Sequence, residues 1–175
     1  MNKQELINKL PTEWSQVTLN QYINLIKDLK IVDNADKNYL NQMVAIWFYN
    51  FTGVYMDEAN LNATDTMLVI EKMNAFSERA DKPKVDLTGR IKTPDELTYA
   101  EFITLIRFQE NNSIDVYPQM INIMLKEPID NIGDNMDMAT ADSFFLQLRN
   151  HLTEYLECTQ SYLMEQIQKQ VKVEQ

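Results

Sequence analysis

The sequence predicts an all-α fold: a duplicated helix pair with a long C-terminal helix and a short extended or hairpin arm near 82–96. Three observations carry that prediction. Apolar residues recur at helical spacing along most of the 175 residues. Three glycines and five prolines leave little room for turn-dense β-structure. And VTLNQYINLI at 17–26 is echoed by LTYAEFITLI at 97–106.

A first helix is expected over 2–9, stopped by Pro11, because the residue before a proline avoids the helical region. PTEWSQVT then reads as an extended lead-in. Thr18 starts the next helix through a capping box with Gln21, and Val17 and Tyr22 are placed to form a hydrophobic staple. Leu19, Tyr22, Ile23, Ile26 and Leu29 follow as one apolar face.

The same devices return at an offset of 80. Thr98 and Glu101 form the second capping box, Leu97 and Phe102 the staple, and Tyr99, Phe102, Ile103 and Ile106 the apolar face. The following helices also correspond, QMVAI at 42–46 with QMINI at 119–123. The repeated unit is therefore a helix pair, about 18–52 and 98–127, within a single domain over 1–175. Gly53 is expected to cap the first pair and Pro128 to stop the second.

Between the pairs, a helix is expected over 62–80, starting near Asn62 or Thr64, with Met67, Leu68, Ile70, Met73 and Phe76 facing the core. The arm at 81–96 follows, where KVDLTGRIK is consistent with a small hairpin or an extended strap. The last helix is expected from Thr140 to about Val173, with a stripe of Phe145, Leu148, Leu152, Leu156, Leu163, Ile167 and Val171. At ~1.5 Å per residue such a helix is ~50 Å long, and a compact domain of this size is only ~40 Å across. Its end, with Ile167 and Val171, is expected to reach a neighbouring subunit.

The net charge is −10. Residues 79–92 hold five basic side chains against two acidic ones, a net of +3, whereas residues 93–168 hold three against thirteen, a net of −10. An acidic surface repels nucleic-acid phosphates, so at most incidental DNA contact is expected. Lys82, Lys84, Arg90 and Lys92 make the arm the candidate for docking on an acidic face of another copy or a neighbouring protein, against the alternative of a solvated loop. Cys158 is the sole cysteine, which excludes an intrachain disulfide and fits a reducing compartment. The N-terminal stretch has no apolar core of a secretion signal, and no apolar run is long enough to span a membrane.

Signals for chemistry are weak. His151 and Cys158 are seven residues apart on one expected helix, ~10 Å, too far for a catalytic dyad, and four zinc ligands are lacking. DNIGDNMDMATAD at 130–142 fails the calcium-loop spacing in both frames and reads as an acidic loop beside the N-terminus of the last helix. Three scattered glycines build no phosphate cradle. WFYNFTGVY at 47–55 is rich in aromatics, but no Lys or Arg lies between Lys37 and Lys72 to hold a nucleic-acid backbone. It therefore reads as core or as subunit contact. No enzyme, metal or cofactor is expected.

PTEWSQVTLNQY at 11–22, a Pro, a Trp three residues on, then Val-Thr-Leu before an amide and an aromatic, resembles small helical proteins of tailed bacteriophages, especially the crAss-like phages. PDELTYAEFITLI at 94–106 has the same character. The resemblance implies a virion structural protein: an oligomeric ring of the neck or connector joining portal to tail, with portal, neck or tail proteins as partners. The alternative it implies is a tail-assembly chaperone not retained in the particle.

Overall fold

A computed structural model describes residues 2–77, 85–111 and 113–148. The described residues are helical, with no strand among them: α1 (Lys3–Lys9), α2 (Leu19–Leu29), α3 (Tyr39–Thr52), α4 (Ala63–Ser77), α5 (Tyr99–Asn111), α6 (Tyr117–Met124), the one-turn α7 (Ile132–Asn135) and α8, helical over 138–148. The expected all-α class holds.

Local chemistry sets the starts. Asn2 and Glu5 cap α1 reciprocally. The Thr18 hydroxyl accepts from the Gln21 amide at 3.2 Å, and Gln21 Oε1 accepts from Thr18 N at 2.9 Å, as the capping box requires. Asn62 and Asp65 do the same for α4. Gly53 closes α3 with φ 71°, a left-handed conformation that costs glycine little.

Several elements differ from expectation. Trp14–Gln16 is a 3-10 turn rather than an extended stretch, held by Gln16 Oε1 accepting from Thr12 N and Glu13 N. On α4 the buried face is Val69, Met73 and Phe76, whereas Met67 and Leu68 face outward. The i, i+4, i+7 spacing of the buried set starts one residue after Leu68, and Asp65 one turn earlier is drawn inward by Lys3 at 2.6 Å. The acidic stretch 130–142 contains α7 rather than loop alone. Asp137 caps α8, accepting from Thr140 N at 2.9 Å, so α8 begins two residues earlier than expected. Its buried face runs through Ala141 and Phe144, with Phe145 and Leu148 half-buried. The continuation of this helix beyond 148 lies outside the described residues.

The core gathers Ile7, Val17, Leu19, Trp47, Phe48, Val69, Ile121, Leu125 and Phe144, all nearly or wholly inaccessible to solvent. α2 lies between α3 and α7, α4 packs on α3 and α1, and α6 joins α7 to α5. Two isolated antiparallel bridges tie distant segments. Thr18 pairs with Asp137, through Leu19 N to Met136 O at 2.9 Å and Met138 N to Val17 O at 2.7 Å. Ile91 pairs with Leu125, through Lys92 N to Met124 O at 2.7 Å and Lys126 N to Arg90 O at 2.9 Å.

Candidate docking surface

The second helix pair opens like the first. Glu101 N donates to the Thr98 hydroxyl at 3.3 Å, and Glu101 Oε2 accepts from Thr98 N at 2.9 Å. Two ion pairs fix this start in place: Lys92 to Glu101 at 2.7 Å and Lys126 to Glu96 at 2.6 Å. Lys92 foremost, helped by the Thr98 amide, holds the Glu101 carboxyl down at about 2, and Lys126 with the Thr93 amide does the same for Glu96.

Beyond the cap the two copies diverge. Leu19 and Ile23 on α2 are buried under α3 and α7. Of their counterparts on α5, Ile103 is only half-buried and Tyr99 is uncovered. Tyr99 is 81% exposed, Phe102 50% and Ile106 37%, and no described side chain of α5 is buried. The i, i+3, i+7 spacing places these three on one ridge, the spacing of a helix–helix seam. Their uncovered area is roughly 300 Å², about that of the largest patch on a typical monomer, and such patches are commonly binding sites.

A second apolar region lies between the end of α2 and α3. Ile31, 83% exposed, joins Val32, Ile46, Tyr49 and Tyr55 around a groove of about 420 Å³. The Tyr49 and Tyr55 rings stack with centroids 4.5 Å apart, and the Tyr49 phenol pushes the Tyr55 phenol above the usual tyrosine value. At the groove wall Asn50 Nδ2 donates to Asp28 Oδ2 at 2.9 Å. The aromatic run 47–55 thus divides: Trp47 and Phe48 are core, and Tyr49 and Tyr55 are surface.

A third, polar cleft of about 570 Å³ separates α2 from α6 and α7. Its side chains pair across it. Asn20 Nδ2 donates to Asp134 Oδ1 at 2.8 Å and Lys27 forms an ion pair with Asp115, while on the α6 side Asn122 Oδ1 accepts from Ile129 N at 2.7 Å. Lys27 keeps the Asp115 carboxyl below its usual range. These contacts make the cleft a joint between the two halves.

The expected contact residues fall in two groups. Lys82, Lys84, Ile167 and Val171 lie outside the described residues, as do His151 and Cys158. Arg90 is exposed and Lys92 is occupied by Glu101. The described part of the arm does not form its own hairpin. Val85 N donates to Ser143 Oγ at 3.1 Å, Leu87 N to Gln147 Oε1 at 3.1 Å, and Leu87 and Ile91 are buried. The alternating apolar residues that suggested a hairpin instead lay the strap onto α8 and residues 124–126. Tyr99, Phe102 and Ile106 match Leu19, Tyr22 and Ile26 on the apolar face of α2, of which Leu19 is buried and the other two half-buried, and only the packing reveals the α5 residues as surface. Among the described residues, no group of three or more His, Cys, Asp or Glu side chains is placed to hold a metal ion, and no helix is long and apolar enough to cross a membrane.

No protein family matches the sequence, and neither a curated protein nor a solved structure is significantly similar to it.

Proposed function

We propose that this protein is a structural component of a tailed-phage virion, an oligomeric neck or connector ring that joins portal to tail by self-assembly and docking. The observation that carries the assembly half of this reading is the uncovered ridge of α5. Among the described residues nothing covers Tyr99, Phe102 and Ile106, and a helix that keeps them in solvent forfeits several kcal/mol of burial. The phage half rests on the likeness of PTEWSQVTLNQY and PDELTYAEFITLI to phage structural proteins. An acidic chain also suits a channel wall along which DNA passes without sticking.

Two measurements test it. Light scattering on the purified chain should give a mass that is a multiple of 20.6 kDa. Protein identification on purified particles should find the chain in fixed stoichiometry with the portal protein. A chain that stays monomeric alone and with portal or tail proteins sinks the reading. A chain that binds tail proteins yet is missing from finished particles would make it an assembly chaperone.

A further inference from the structure

The groove between α2 and α3 carries charge as well as an apolar floor. Asp28 lines it, its carboxylate held by Asn50 Nδ2 at 2.9 Å. Glu58 stands beside it, on the turn that begins at Tyr55, with Glu58 N donating to Tyr55 O at 3.0 Å. Tyr49 foremost pushes the Tyr55 phenol up, and the nearby charge of Glu58 adds to that. No Lys or Arg is among the groove's lining residues. Lys27 pairs with Asp115 in the polar cleft, and Lys30 acts on the same carboxylate. Two exposed phenol rings beside two carboxylates suit a cation that can lie flat on a ring.

The strap presents such a cation. Leu87 to Arg90 form a tight turn, with Arg90 N donating to Leu87 O at 2.9 Å and Gly89 at a φ of 77°. Thr88, Gly89 and Arg90 are exposed, whereas Leu87 and Ile91 on either side are buried, so the tip is a fixed projection. Among the described residues no ion pair engages Arg90, while Lys92 and Lys126 close by are taken by Glu101 and Glu96. Asp86, the carboxylate of the tip, is turned back to accept from Thr88 N at 2.8 Å. The stretch 79–92 is net +3 in a chain of net −10, so its field draws it to an acidic surface of another copy. No described strap residue lines the groove of its own chain.

We propose that the Arg90 tip of one copy of this chain seats in the Ile31–Tyr49–Tyr55 groove of the next copy, the guanidinium lying on the tyrosine faces with Asp28 and Glu58 as its counter-charges. Arginine fits such a place better than lysine, because its flat, weakly hydrated group both stacks on rings and forks onto carboxylates. The contact joins two different faces, so it is heterologous and adds subunits head to tail until a ring closes. The inference rests on the ring reading and supplies one of its contacts.

Native mass spectrometry of the full chain tests it, under conditions where the unaltered chain assembles. Arg90→Glu should weaken assembly about tenfold, and Arg90→Lys, which keeps the charge without the flat face, should fall in between. Asp28→Lys with Glu58→Lys should weaken it as much, and adding Arg90→Glu to that chain should restore most of it. Mixed one to one, the Arg90→Glu chain and the Asp28→Lys, Glu58→Lys chain hold one intact groove and one intact tip between them and should pair in twos. Circular dichroism checks that each variant keeps its helices.

Crosslinking identifies the occupant. With Cys158→Ser in every chain, copies carrying Arg90→Cys and copies carrying Tyr55→Cys should join by a disulfide when mixed and oxidised. With both changes in one chain, the product should be a ladder of joined chains. A disulfide closed within one chain, or none at all, overturns the tip–groove contact. So does an Arg90→Glu variant that assembles as well as the unaltered chain, and in these cases the ring reading stands because the unaltered chain still assembles. A chain that is monomeric alone and with portal or tail proteins ends both.

Discussion

Glu101 serves two partners with its two oxygens: Oε2 accepts from Thr98 N and the Thr98 hydroxyl, each at 2.9 Å, while Oε1 holds Lys92 Nζ at 2.7 Å. One carboxylate therefore starts α5 and ties it to the strap at 90–92. Glu96, with Lys126, provides a parallel tie.

Acid should loosen this corner first. Both carboxyls titrate near 2 in the folded chain, below the 4.5 they return to on unfolding. Lowered folded values mean their stabilisation is complete above pH 4.5 and is lost as pH falls from 4.5 towards 2. Denaturation midpoints measured from pH 6 to pH 2.5 should fall across that window. The Glu96→Gln, Glu101→Gln double variant should be less stable at pH 6 and flatter below 4.5. An unchanged slope would show that other carboxylates govern the acid response.

Gly133→Ala should strike the joint between the halves. A Cβ at 133 would collide with the Asn20 side chain, which is held over Gly133 by Asp134. The expected loss is about 1–2 kcal/mol, from a displaced side chain and a broken hydrogen bond. Asn20→Ala in the same chain should relieve the collision, so the double variant should be more stable than the sum of the single effects allows. Strict additivity in that cycle would refute the contact.

Gly53→Ala isolates a backbone effect. Nothing lies within 4 Å of a Cβ built there, yet φ is +71°. The cost should be about 1 kcal/mol, all of it from placing a side chain in the left-handed region. Gly53→Asn should cost less, since asparagine tolerates that conformation better.

Core and ridge should separate cleanly by stability. Phe48→Ala removes a wholly buried ring and should cost about 3–5 kcal/mol. Phe102→Ser, in the isolated subunit, should change stability by about 0.5 kcal/mol or less, because half of that ring is already in water. Urea titrations at low protein concentration measure both. A Phe102 effect as large as that of Phe48 would place α5 inside the core.

The local features were legible because they are local. Capping boxes at Thr18 and Thr98 and the Gly53 cap follow from a few neighbouring residues and stand as expected, whereas α6 stops at Met124, where Leu125 turns extended to pair with Ile91, and not at Pro128. What failed needed long-range information. The pattern of α4 alone favours Met67 and Leu68 over Val69, because its buried face is fixed by α1 and α3. The strap at 85–92 found its partners in Ser143, Gln147 and Leu125, some 34 to 60 residues away. The ridge was the hardest to see. Apolar spacing is the same for a face that meets its own core and for one left open, so α2 and α5 look alike until their neighbours are known.

The two antiparallel bridges have a kinetic meaning. The Ile91–Leu125 bridge closes a loop of about 35 residues, and the Thr18–Asp137 bridge closes one of about 120 that contains it. Loop closure grows costlier with the logarithm of length, so the inner closure is cheaper by roughly 1 kcal/mol. The nesting sets an order of events: the α5–α6 unit knots its ends together early, and the outer bridge then gathers α2, α7 and α8 around it. A chain leaving the ribosome would present its exposed ridge as a finished surface only after residue 125 had emerged, before the closure that brings Asp137 to Thr18.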